Sequence, residues 1–505
     1  MISLCAYYST RSNSAVCLNF YLERGNDMFL DSIHEECGVF GIYESKTANV
    51  AKSTYFALYA LQHRGQESCG IAVNDDGIIR YRKDLGLVPD VFNNEALEKL
   101  GYGSIAIGHV RYSTTGQSSR SNAQPLVIRH VKGQMSLAHN GNLTNAQELR
   151  EKFELEGAIF HGTNDTEVIA YSITKNRLKT ASIEEAVEGA MHEIKGAYSL
   201  IVMSPTKLIA ARDPNGFRPL CIGKCADGAI VFASETCALD SINAEFIRDV
   251  EPGEIVVVKN GELSSIKTHC CGKSTTCVFE FIYFARPDST IDGASVQEAR
   301  QRAGAFLALE QPVQADVVIG CPDSGMEAAL GFAKQSGIPY GNGFIKNRYV
   351  GRTFIKPNQN EREDAVKIKL NAVKSTVAGK RVVMVDDSIV RGTTSGKIVK
   401  LLRDAGATEV HVRISSPPFT NPCYFGTDID SKDNLIACKM SIPEICSYIG
   451  ADSLGYLSVE SVNKIANGAK CGFCDACFTG NYPVDPPQAT DKNKFECKLS
   501  ERKQK

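Results

Sequence analysis

The chain has no tryptophan, and its 56 lysines and arginines are balanced by 58 aspartates and glutamates, so neither sign of charge dominates its 505 residues. A formal net charge of −2 leaves no bulk positive field with which to hold nucleic acid. Long apolar runs are also missing. Stretches such as SLIVM at 199–203 and RVVMV at 381–385 are about five or six residues long, against the roughly 18 that span a bilayer. The first 36 residues lack both the sustained apolar core and the small-residue cleavage site of a secretory signal. Glu23 and Asp27 count against a transit segment, and Met28 offers a second start. Partners in a membrane or a nucleic acid are therefore not expected. The length fits two or three domains at roughly 100–200 residues each.

What the chain has in abundance is cysteine, 18 residues spread along a large chain and not packed into a short disulfide scaffold. Free thiols in that number point to a reducing, cytoplasmic setting.

The rhythm of the sequence changes once. From Cys37 to about residue 270, short β-rich runs (GVFGIY, GIAVN, SIAIGHVRY, MSLAHNGNL, AYSLIVM, EIVVVK) are broken by Gly and Asn turns. Helical patterns lie between them at 145–155, 166–178 and 182–194. Layered sheets covered by helices are the packing solution for such a pattern. From about residue 278, strand and helix alternate, as in ADVVIG before CPDSGMEAALGFAKQSG and RVVMVDDSIVRGTTSGKIVKLLRDAG before EVHVRI. That alternation predicts βαβ units and a parallel sheet. The expected organisation is a leader over 1–36, one domain over 37–270, a second over 271–483 and a tail over 484–505.

Three constellations carry chemistry. In Arg381–Gly396 a continuous apolar strand runs into Asp386-Asp387-Ser388, and Arg391-Gly392-Thr393-Thr394-Ser395 then opens an amphipathic helix. Such a turn converges backbone N–H groups, hydroxyls and a helix N-terminus on one point, which suits a phosphate. Two carboxylates at the strand end suit ribose hydroxyls or hydrated Mg²⁺. This stretch resembles the phosphoribosyl-pyrophosphate motif of type I phosphoribosyltransferases. The resemblance implies that Asp386 and Asp387 hold ribose and magnesium, while Arg391 to Ser395 cradle the 5-phosphate. It also implies that the Cys321–Gly325 turn meets pyrophosphate, with Ser324 near the metal. Lys346–Lys369 then reads as a basic lid.

Cys37 opens the first real strand. If cleavage released its amine, that amine could serve as general base for its own thiol. Arg111 in HVRYSTTG, Asn140-Gly141 in AHNGN and Asp165 in NDTE end strands or start helices, as a polar pocket requires. With LQHRGQES at 61–68, these segments resemble the glutaminase domain of N-terminal nucleophile (Ntn) amidotransferases. That likeness implies that Arg111 pairs the glutamine α-carboxylate, that Asp165 pairs its α-amine, and that Asn140 and the Gly141 amide form the oxyanion hole. His63, His109 and His139 read as structural.

Cys471-x-x-Cys474-x-x-Cys477 suggests a metal or iron–sulfur site in a chain without a signal peptide. Asn481 stands where a ferredoxin run would place its fourth cysteine, so ligands must come from elsewhere. A zinc Cys₄ site is the other chemistry open to these residues.

Taken in order, the segments resemble the glutamine phosphoribosylpyrophosphate amidotransferase family, in the iron–sulfur branch that carries a propeptide. The implied fold is an Ntn hydrolase αββα sandwich followed by a type I phosphoribosyltransferase domain. The resemblance implies one magnesium and one [4Fe–4S] cluster per subunit, the cluster held by Cys237, Cys423, Cys474 and Cys477 with Cys471 spare. It further implies glutamine and phosphoribosyl pyrophosphate as substrates, purine nucleotides as feedback inhibitors, and a homo-tetramer. A glucosamine-phosphate synthase would share the Cys37 half but lack VVMVDDSIVRGTTSG. A regulatory phosphoribosyltransferase-like protein would not need Cys37, Arg111, Asn140 and Asp165.

Overall fold

A computed structural model describes residues 37–112, 119–272, 274–347, 370–429 and 431–487. The expected leader, most of the expected lid and most of the tail lie outside them.

The first domain is a pair of stacked antiparallel sheets. One has seven strands in the spatial order Glu245–Asp249, Cys221–Lys224, Ile230–Ala233, Gly38–Ala48, Gly103–Arg111, Ser68–Asp75 and Ile78–Leu85. The other has six, in the order Glu262–Ile266, Ile255–Lys259, Lys207–Arg212, Gly196–Met203, Gly133–Leu143 and Leu126–His130. Strand alternation sorts the side chains into layers. Val39 and Tyr43 point into the space between the sheets, while Phe40 and Ile42 face the Val50–Ala60 helix. Ile201 and Met203 fill the interior from the other sheet, and Leu200 and Val202 face the helices Ala146–Leu155, Thr166–Arg177 and Ile183–Met191. Each sheet is therefore apolar on both faces, which is why these strands read as continuous hydrophobic runs. The result is the αββα sandwich.

The second domain has a four-stranded parallel sheet in the order Val317–Gly320, Arg381–Asp386, Glu409–Ile414 and Ser453–Tyr456. Val383 and Val385 pack toward the Val296–Glu310 and Gly325–Ser336 helices. Val382 and Met384 pack toward the Thr393–Asp404 and Ile442–Ile449 helices. The sheet is thus covered on both sides, as parallel sheets require. The sequence pattern did not foresee one join: Thr275–Cys277 pairs in parallel with Gly472–Cys474, tying the start of this region to its C-terminal segment.

Candidate functional site

Two polar sites and one thiol-lined cavity emerge. The first polar site lies at one end of the sandwich. Gly38 pairs with Val110, so Cys37 stands level with Arg111 at the end of the neighbouring strand. Cys37 is buried, and its Sγ–H donates to the Tyr112 carbonyl at 3.4 Å. Across the sandwich, His109 Nε2 lies 2.9 Å from the His139 carbonyl, which brings Asn140 and Gly141 to the same end as Cys37 and Arg111. Asn140 is fully buried, and among the described residues neither its Oδ1 nor its Nδ2 has a hydrogen-bond partner. A buried amide left so costs on the order of 1–3 kcal/mol, a cost that a substrate oxygen would relieve. Gly141 has φ +138, and a Cβ there would stand 2.2 Å from the Ala197 carbonyl oxygen, so no other residue fits.

Asp165 precedes the Thr166–Arg177 helix and is buried. It accepts the Leu143 N–H at 2.9 Å and lies 3.6 Å from His139 Nδ1. Burial pushes its carboxyl up, but His139 and the Leu143 N–H outweigh it and hold the carboxyl below its ordinary range. It is therefore anionic and suited to an ammonium. His109 is driven down to about 3 by burial, with further lowering from Arg111, and so is neutral. His63 is held between the Ala60 carbonyl and Glu235.

The second polar site lies at the end of the parallel sheet. Asp386 and Asp387 are both buried, and Asp387 N–H donates to Asp386 Oδ1 at 3.0 Å. Ser324 Oγ donates to Asp387 Oδ1 at 2.6 Å, and Ser388 Oγ donates to Oδ2 at 2.5 Å. Burial first, and the adjacent Asp387 second, push the Asp386 carboxyl well above its ordinary range. Two buried carboxyls with hydroxyls around them form an oxygen donor set of the kind a hard cation takes. Gly392, at φ +84, turns the chain into the Thr393–Asp404 helix, with Arg391 exposed before it and Ser395 buried in its first turn. Thr393 and Thr394 complete this helix start. Lys346 Nζ donates to Asp323 Oδ2 at 2.6 Å, touching the turn that carries Ser324; residues 348–369 of the expected lid lie outside the described residues.

The cavity lies between the domains, lined by Cys277, Cys423, Cys474 and Cys477 among the aromatic rings of Phe217, Phe279, Phe419, Phe425 and Tyr482. Burial and the neighbouring thiols push Cys277 and Cys477 well above the ordinary thiol range, and burial takes Cys474 up to about 12. This revises one expected ligand. Cys237 lies in the Thr236–Asp240 helix, with its Sγ 3.7 Å from Glu235 Oε2, inside the core on the helix side of the seven-stranded sheet. It does not line the cavity, and Cys277 occupies the fourth place. Cys277 stands outside any cysteine motif, and only its pairing with Cys474 reveals it. Cys471, the expected spare, bonds to Asp292 and Thr276 instead.

A thiol and an unpartnered amide at one end of a sandwich, joined to a parallel sheet with an acidic pair before a glycine turn, define a glutamine amidotransferase fused to a phosphoribosyltransferase. Residues 109–241 match the glutamine amidotransferase domain family. The chain is 52% identical to the amidophosphoribosyltransferase of Methanocaldococcus jannaschii over 464 residues, covering 89% of this chain and 98% of that protein. It is 48% identical to the Bacillus subtilis amidophosphoribosyltransferase over 466 residues, covering 91% and 97%. A solved glutamine phosphoribosylpyrophosphate amidotransferase from B. subtilis, complexed with ADP and GMP, superposes with TM-score 0.83 at 48% identity, covering 90% of this chain and 98% of that one. The chain belongs to the amidophosphoribosyltransferase family.

Proposed function

We propose that this chain moves ammonia from glutamine to phosphoribosyl pyrophosphate, giving 5-phosphoribosylamine, glutamate and pyrophosphate, the first step of purine biosynthesis. The observation that carries the reading is the buried, unpartnered Asn140 amide at the Cys37 end of the sandwich. It has the donor needed for a developing oxyanion and no competing partner among the described residues.

In this reading, removal of residues 1–36 frees the Cys37 amine to take the proton of its own thiol. The thiolate attacks the glutamine carboxamide, with Arg111 on the α-carboxylate and Asp165 on the α-amine. Asn140 Nδ2 and the Gly141 N–H hold the oxyanion. Ammonia leaves, and water hydrolyses the thioester to glutamate. The ammonia must reach the second site unprotonated, because ammonium has no lone pair with which to attack, so the route between the domains has to exclude water.

At the second site Asp386 and Asp387 orient the ribose, and the turn from Ser388 and Arg391 through Gly392, Thr393, Thr394 and Ser395 binds the 5-phosphate. Magnesium fits the Asp386, Asp387 and Ser324 oxygens and, when bound, would neutralise charge on the leaving pyrophosphate. A purine nucleotide's 5-phosphate fits the same cradle, which supports competitive feedback inhibition.

An iron–sulfur cluster fits Cys277, Cys423, Cys474 and Cys477, and when bound it would supply cross-linking between the domains and no redox step. The four thiols line one cavity, and iron–sulfur clusters are ordinarily held by four cysteine thiolates. A tetramer in a reducing cytoplasm completes the proposal. Among the described residues, no helix is long and apolar enough to cross a membrane.

Replacing Cys37 with Ala tests the reading. Glutamine-dependent phosphoribosylamine formation should vanish while ammonia-dependent formation with Mg²⁺ persists; survival of the glutamine reaction would overturn it.

A further inference from the structure

A group of buried charges outside both sites joins the two domains. Arg64, in the loop after the first helix, is completely buried and makes a three-way contact. Its Nε donates to the Cys37 carbonyl at 3.0 Å. Its Nη1 and Nη2 form a bidentate pair with Glu280, each at 2.8 Å, and Nη1 also reaches Glu235 at 2.6 Å. Glu280 opens a π-helical turn, Glu280–Phe284, in the second domain. Its Oε1 takes a further bond from Arg218 at 3.3 Å, and Arg218 Nη2 donates to the Phe425 carbonyl at 2.8 Å. Arg300 fixes the same turn by donating to the carbonyls of Phe281, Tyr283 and Ala285.

Arg64, Arg218, Glu235 and Glu280 are all essentially excluded from water, and Arg300 beside them is buried too. Such a set is costly to desolvate and is tolerated only when each charge is matched in geometry as well as sign. Among these charges Arg64 alone is hydrogen-bonded to the backbone of Cys37, and its bidentate partner comes from the other domain. The position of the Cys37 carbonyl is therefore referred to Glu280, 216 residues beyond Arg64 in sequence.

We propose that Glu280 is a positioning residue for the glutaminase half-reaction. It touches no substrate. It orients Arg64, and Arg64 fixes the carbonyl of Cys37 so that thiol and amine meet the carboxamide in register with the Asn140 and Gly141 donors. Placement errors of about 1 Å at a reacting group cost on the order of 100-fold, so a loosened Arg64 must show in the rate. The inference rests on Cys37 being the nucleophile.

The test is the rate at which a glutamine-analogue electrophile alkylates Cys37, measured beside steady-state kinetics on the mature full-length enzyme. In Glu280→Gln one charged acceptor of the bidentate pair becomes a donor facing the guanidinium. Alkylation and kcat with glutamine should each fall about tenfold or more, while KM for glutamine and turnover with ammonia stay within about threefold. If Glu280→Gln yields no ammonia-dependent turnover, Glu280→Asp, which keeps the charge on a shorter stem, carries the same comparison. Unchanged alkylation overturns the proposal, as does a parallel loss of ammonia-dependent turnover in both variants. Failure of the underlying reading is distinct: the unsubstituted enzyme would then not be alkylated at Cys37.

Discussion

Cys277 and Cys474 are register partners in a short parallel strand pair, one strand directly after the sandwich and the other in the C-terminal segment. Both thiols open onto the cavity that Cys423 and Cys477 also line. Ligands from these segments would make a bound cluster a clasp between the ends of the second domain and the sandwich, whose Phe217 lines the same cavity.

Iron content separates Cys277 from Cys237. Anaerobically purified protein should contain about four irons and matching acid-labile sulfide per chain. Cys277→Ser should lose most of that iron and much of its thermal stability, whereas Cys237→Ser should retain the iron. Iron and sulfide assays on both variants decide between the two thiols.

Asn140→Ala removes the proposed oxyanion donor from a buried site. Glutamine-dependent turnover should fall about 10²–10³-fold, corresponding to about 2.7–4 kcal/mol, with ammonia-dependent turnover retained. Parallel assays with the two nitrogen sources check it.

Asp387 accepts from Ser324 and Ser388 at once, which organises the acidic turn. Asp387→Asn should lower phosphoribosylamine formation by about 100-fold or more from either nitrogen source. Slow glutamate release without phosphoribosyl pyrophosphate should persist, as followed by a glutaminase assay.

How much of this was legible in the sequence follows from how local each feature is. Asp386, Asp387 and the Gly392 turn lie on one strand-to-helix connection, so chain order alone displays their chemistry. Cys37, Arg111 and Asp165 are far apart in sequence, yet each sits at a strand or helix end, whereas Asn140 and Gly141, expected at a strand end, lie inside the Gly133–Leu143 strand, and the layered fold collects all of them. Cys277 had no such signal, because its partnership with Cys474 is made by tertiary pairing. Cys237 resembled a ligand by its segment, but the Thr236–Asp240 helix directs it to Glu235. The Arg64–Glu280 pair was also hidden: Arg64 sits within a recognised segment, while Glu280 follows an unremarkable strand, and only folding buries them together.

The neutral, buried His109 imposes a pH dependence on stability. Its folded pKa of about 3 lies below the ordinary 6.5, so below pH 6.5 the unfolded chain takes up a proton that the folded chain refuses. The stability this residue contributes is thus complete above pH 6.5 and is lost as pH falls toward 3. One pH unit within that window costs about 1.4 kcal/mol. Denaturant midpoints between pH 6.5 and 5 should fall less steeply in His109→Gln, whose amide can still reach the His139 carbonyl.

In the proposed function, ammonia made at Cys37 is consumed at the Asp386–Asp387 site of the same molecule. Glutamine labelled with ¹⁵N in its side-chain amide, supplied with phosphoribosyl pyrophosphate, Mg²⁺ and an excess of unlabelled ammonium, tests it in one measurement. The phosphoribosylamine formed through glutamine hydrolysis should retain the label beyond its share of the ammonia pool. Label diluted to the composition of that pool would contradict it.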